Sequence, residues 1–172
     1  MVVALSRFGT FSNLKLIHSS GTDVYPNTPT LSFYKSGYTS QYLNFVPVEW
    51  YSDTPAAQSG TYKTLQTPTS AQMAIFTKYD APPYVQSGSN GSFPFVDIGN
   101  KYLAIGAQYV PSNLKNLTWA QVASDIRNAS SPIAKEIDGA ANSITAAICK
   151  VVPNAPASVC NSPAAQAGAG AI

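Results

Sequence analysis

Charge is scarce in this chain. Asp, Glu, Lys and Arg make up 10% of its 172 residues, where a soluble domain ordinarily carries about 25%. Ser, Thr, Asn, Gln and Tyr must supply most of the polar surface instead. With only eight carboxylates, such a surface takes up few protons as pH falls, which is compatible with an acidic exterior. The basic residues are equally sparse and scattered, and the formal net charge is +2. That pattern leaves no electrostatic footprint for nucleic acid, and no nucleic-acid partner is expected.

Metal ligands and nucleophiles are scarce as well. There is one histidine, His18, and there are two cysteines, Cys149 and Cys160. A structural zinc site needs about four ligands of suitable type, so neither a metal nor any other cofactor is expected. A Ser-His-Asp or Cys-His site would have to use His18, which falls at the end of a short predicted strand and reads as a strand-end polar residue. The carboxylates show no paired pattern, which leaves a hydrolase without support. No phosphate-binding glycine loop is present. No apolar run reaches the ~18 residues of a membrane-spanning helix. Met1 to Leu5 is too short for a signal-peptide core.

What is present fits one domain with its own core: an apolar fraction of 45% in a chain of ordinary domain length. Three Asn-x-Ser/Thr acceptor sequences occur, at Asn90, Asn116 and Asn128. Together with low charge and a cysteine pair spaced for a bridge, they point to an exported protein, and hence to sequence upstream of Met1.

The cysteines have ten residues between them. Redox-active pairs usually stand as Cys-x-x-Cys at a helix N-terminus, which lowers a thiol pKa. Cys149 instead falls late in a predicted helix, where the dipole disfavours a thiolate. Spacing and position favour a structural disulfide over free thiols or a redox pair. Closing so short a loop stabilises a fold by roughly 3 kcal/mol on the chain-entropy account.

Periodicity predicts the end of a helix over Val2–Phe8 with Gly9 as its stop, and strands at Leu14–His18, Thr30–Tyr34 and Gln41–Trp50. Pro47 weakens the third as a central strand. Ser52–Pro68 reads as a surface loop. Thr69 or Ser70 caps a helix to about Tyr79. Phe93–Ile98, Gly99-Asn100 and Lys101–Ile105 form a hairpin. Thr118 caps a helix bearing Trp119, Val122 and Ile126. Pro132 opens another, along which Ile133, Ile137, Ile144, Ile148 and Val151 share a face and which Gly139 is expected to divide. Residues 1–161 form the domain, and 162–172, small and uncharged, read as a disordered tail. Pro94 is the most suggestive single position. Its place at a strand start favours the ordinary trans bond, while a cis bond there would expose the backbone of Phe93.

Several stretches together carry a family resemblance: LSRFGTFSNL (5–14), IHSS (17–20), YPNTPT (25–30), YLNFVPVE (42–49), LQTPT (65–69), FVDIGN (95–100) and ITAAICK (144–150). They resemble the archaeal, Sulfolobus-type family called domain of unknown function 929. The resemblance implies an α/β (α+β) class: a thioredoxin-like three-layer fold lacking its first strand and the start of helix 1, with a β-rich insertion and C-terminal helices. Family members usually have an N-terminal membrane anchor and a thioredoxin-like cysteine motif shortly before the segment matching Val2–Phe8, and this chain has neither. The resemblance therefore implies that Phe93 and Pro94 occupy the place where a cis-proline faces the missing motif. It also implies that Cys149 and Cys160 match two family cysteines outside that motif. The expected function is that of an uncharacterised extracytoplasmic domain related to thiol–disulfide oxidoreductases, inactive as written. Its implied partners are thiols or disulfides of exported proteins, and its only membrane contact is through an upstream anchor. The second expectation, of a different class, is a non-catalytic binding or surface-structural domain.

Overall fold

A computed structural model describes residues 1–56 and 59–172; residues 57 and 58, inside the predicted 52–68 loop, lie outside the described residues. The fold is α+β. Helix α1 (Val2–Leu5) leads into β1 (Thr10–Ser12), β2 (Lys15–His18), β3 (Pro29–Ser32) and β4 (Gly37–Thr39). Strands β5 (Tyr51–Pro55) and β6 (Tyr62–Thr64), helix α2 (Ser70–Tyr79), and strands β7 (Phe95–Ile98) and β8 (Tyr102–Ile105) follow. A 3-10 turn (Pro111–Leu114) precedes α3 (Trp119–Arg127), α4 (Pro132–Val151), α5 (Ala157–Cys160) and α6 (Pro163–Ala169). The strands pair as four antiparallel ribbons: β1 with β4, β2 with β3, β5 with β6, and β7 with β8.

The core forms where α1 lies on α4. Ala4, Leu5 and Phe8 pack against Ala141, Ile144 and Ile148, all buried. Arg7 ties the two helices beside that contact. Its guanidinium donates to Thr145 Oγ1 at 2.7 Å and to Asn142 Oδ1 at 2.8 Å. Thr145 is fully buried and donates in turn to the Ala141 carbonyl, so no polar atom in this bridge is left dry and unpaired.

Helix starts follow the capping chemistry of the sequence. Thr69 and Thr118 each accept from the backbone three residues on, and Gln72 and Gln121 return the bond to the cap N–H. Ser131 caps α4 with Pro132 at its first position. The helix then runs 20 residues without interruption. Gly139 does not divide it, because the apolar stripe on both sides faces the same core and outweighs the ~1 kcal/mol that a helical glycine costs.

Four other expectations change. Helix α1 stops at Leu5, before Gly9. The run Gln41–Trp50 forms no ladder among the described residues; Tyr42, Leu43 and Phe45 pack on the core instead. The 52–68 segment contains the β5–β6 ribbon. The tail is ordered over α6, where Ala165 and Gly168 are buried. A β-carbon on Gly168 would overlap the Asn142 backbone, so a small-residue face lets α6 seat directly on α4. Low complexity there reflects close packing, and it is the reverse of what polar, charged tracts do.

Burial sets the alkaline limit of this fold. Desolvation raises the pKa of Tyr38 and of Tyr109 above the usual 10.0. The unfolded chain then loses these protons first, so it holds fewer protons than the native state above pH 10. Stability is full below pH 10 and falls as pH rises through the native pKa values. Urea midpoints are expected to fall as pH rises above 10, in step with tyrosinate absorbance.

Candidate functional site

The hairpin β7–β8 pairs Phe95 with Ile105, Val96 with Ala104, Asp97 with Leu103 and Ile98 with Tyr102. Its turn is one residue longer than predicted. Gly99 and Asn100 both take positive φ, 62° and 55°, and Lys101 completes the loop. Gly99 also sits 3.1 Å, at a β-carbon position, from Val151 at the end of α4, which brings the hairpin against the core helix.

Phe93 and Pro94 lie just before β7, outside the ladder, and the bond between them is cis. The Pro94 carbonyl accepts from Gly106 N–H at 2.8 Å, closing the ribbon behind it. Phe93 is 58% exposed. Its N–H and carbonyl have no protein partner among the described residues. Its ring stacks on Phe76 of α2 at 5.4 Å and meets Trp50 edge-on at 5.3 Å. Phe76 also contacts Phe95. An exposed backbone edge is thus framed by an aromatic wall drawn from three separate segments.

Asp80 holds this corner in place, and sequence reading missed it. It caps the C-terminal end of α2, is 3% exposed, and accepts the Ser92 N–H on Oδ2 at 2.7 Å. Its Oδ1 has no partner among the described residues. One signal was available: a carboxylate immediately after a helix opposes the negative end of the dipole, so Asp80 stands there for a reason other than helix stability.

Cys149 and Cys160 are joined in a disulfide with Cα atoms 5.6 Å apart, between the last turn of α4 and the end of α5. No free cysteine occurs among the described residues. The bridge borders a cleft of about 260 Å³ with Lys150, Asn161 and Gln166. It pins the post-helical segment back on α4 and lies outside the Phe93–Pro94 corner.

The other sequence candidates stay apart. His18 is exposed at the end of β2, opposite Pro29. No group of His, Cys, Asp or Glu suited to a metal exists among the described residues. Asn90, Asn116 and Asn128 are all exposed; Asn128 also ends α3 and accepts from Ser130 N–H. No described helix is long and apolar enough to cross a membrane.

No curated protein and no solved structure matches the chain. One family model does, over residues 1–150, a span from the first residue of α1 almost to the end of α4 that includes the whole hairpin and its aromatic wall. The chain belongs to the family described as a domain of unknown function, DUF929.

Proposed function

We propose that this chain is a thioredoxin-like, extracytoplasmic domain of an archaeal exported protein, related to thiol–disulfide oxidoreductases. In this reading the Phe93–Pro94 corner docks an extended segment of a substrate protein, and the reacting thiols belong to sequence before Met1. The observation that carries the reading is the unused N–H and carbonyl of Phe93 beside an aromatic wall. Main-chain groups of this kind take a passing strand by backbone hydrogen bonds, and apolar neighbours hold its side chains. The bridged cysteines add support for export, since such bonds persist in oxidising compartments.

The chemistry would be a dithiol exchange. An upstream thiolate attacks one sulfur of a substrate disulfide, forming a mixed disulfide and releasing the other sulfur as thiolate. A second upstream thiol then resolves it, leaving the substrate reduced by two electrons and the motif oxidised. The 172-residue chain alone contributes docking and no turnover. The second reading, a non-catalytic binding domain, is favoured by the closure of both its cysteines in one bridge.

The reading frame upstream of Met1 is the test. A strand followed by Cys-x-x-Cys within about 20 residues is expected, since a strand and one helical turn need that length. The extended protein should then reduce insulin, and its Cys-less motif variant should not. A stop codon in that stretch, or equal activity of the two proteins, would overturn the oxidoreductase reading in favour of the binding one.

A further inference from the structure

A second cleft lies at the opposite end of β7 from Phe93, about 10 Å along the strand. Its volume is about 190 Å³, and it is lined by Tyr79, Tyr84, Asp97, Asn100, Lys101 and Leu103. Two elements build it. Tyr79 ends α2 and Tyr84 follows in the next turn. The remaining four residues belong to the β7–β8 hairpin and its loop.

We propose that this cleft binds one ring of a neutral sugar. The size fits a one-ring ligand, since sites for drug-sized molecules run to roughly 300–1,000 Å³. The walls suit the two faces of a pyranose. Tyr84 is 53% exposed and offers a ring surface for C–H contact, and Leu103 adds an apolar side chain to the lining. The two tyrosine rings meet at 70° with centroids 4.8 Å apart. Crossed rings cannot sandwich a flat heteroaromatic ligand, which argues against a nucleobase.

The polar groups complete the match. Asp97 Oδ1 accepts the Asn100 N–H at 2.9 Å, which orients the carboxylate. Asp97 Oδ2, the Asn100 side-chain amide and the Lys101 ammonium have no protein partner among the described residues. They present an acceptor, a group that both donates and accepts, and a donor. Adjacent sugar hydroxyls each donate once and accept as well, so they can use all three. Asp97 and Lys101 offset each other within the lining, so the lining residues themselves carry no net charge, which suits a neutral ligand. Lys78, 4.7 Å from the Tyr79 ring centroid, already occupies that ring as a cation and disfavours a second one.

This inference uses none of the thiol chemistry above. It is tested by backbone-amide NMR of the full 172-residue chain, titrated with the methyl glycosides of α-mannose, β-glucose and β-galactose. At least one is expected to give saturable shifts at Tyr84, Asn100 and Lys101 with a Kd on the order of 1–10 mM. Tyr84→Ala and Lys101→Ala, both at exposed positions, should weaken it about 5-fold or more while the remaining spectrum is unchanged. The proposal fails if none of the three glycosides gives saturation, or if both variants bind as tightly as the parent. It fails equally if tetramethylammonium or adenosine monophosphate binds these residues more tightly than every glycoside.

Discussion

Gly9→Ala is expected to destabilise the protein by about 3 kcal/mol, near the upper end for overpacking a well-filled site. A β-carbon there would overlap the Thr39 carbonyl and lie 2.7 Å from the Tyr38 ring and hydroxyl. Neither neighbour can retreat cheaply. Thr39 is paired with Thr10 across β1–β4. Tyr38 packs edge-on to Phe45 and against Phe11, and its hydroxyl donates to the Leu5 carbonyl at 2.8 Å. Pushing β4 away would also stretch the bond from Ser40 Oγ to the Phe8 carbonyl. The Ser40 bond gives the Phe8 carbonyl, just past α1, its partner, and the Tyr38 bond adds to the Phe8 and Gly9 N–H groups already on the Leu5 carbonyl. In a chain of this size the loss corresponds to roughly 9 °C in Tm, read by near-UV circular dichroism. Gly139→Ala is the matched control. Nothing lies within 4 Å of a β-carbon there, so mid-helix alanine should stabilise by about 0.5–1 kcal/mol. Equal effects at the two glycines would show that close approach is not what Gly9 provides.

Glu49→Ala should cost a similar amount, about 3 kcal/mol, through a different cause. The Glu49 carboxylate accepts from Ser32 Oγ, from Phe33 N–H at 2.8 Å and from Tyr34 N–H at 3.0 Å. Its own N–H donates to Gln66 Oε1 at 2.8 Å. The side chain thereby acts as the missing neighbour strand for the end of β3. Truncation leaves the Phe33 N–H and the buried Ser32 hydroxyl without their acceptor, while the Tyr34 N–H keeps only its longer bond to Ser32 Oγ at 3.2 Å, and unpaired buried groups cost about 1–3 kcal/mol each. Glu49→Gln keeps one acceptor oxygen and should lose less than alanine. Urea unfolding of the three proteins tests the order: parent most stable, then glutamine, then alanine. Alanine matching glutamine would mean that solvent reaches these donors and the carboxylate is dispensable.

Both cases show where local reading stops. Gly9 looks like a helix stop, and helices often end on such a residue. Its work is done through β4, which arrives 30 residues later in the chain. Gln41–Trp50 has the composition of a strand, yet Pro47 removes a ladder donor and the Glu49 side chain takes the hydrogen bonds that a ladder would have made. Asp80 reads as an ordinary loop residue until Ser92 is seen to donate to it from across a 12-residue excursion.

Residues whose effect is confined to one turn were determined by sequence alone. Thr69, Thr118 and Ser131 cap helices within three residues. Gly99 and Asn100 turn the hairpin because their φ angles are positive wherever the hairpin sits. The scarcity of histidine and cysteine is likewise independent of folding, and it bounds the chemistry. Tertiary structure decided the rest. It ordered the alanine- and glycine-rich end as α6, because small side chains let that helix reach the α4 backbone. It also placed Phe93 beside Trp50 and Phe76, and Tyr84 beside Asp97. Those neighbours are set by packing between distant segments, and a contact of that kind leaves no periodicity or spacing in the chain that carries it.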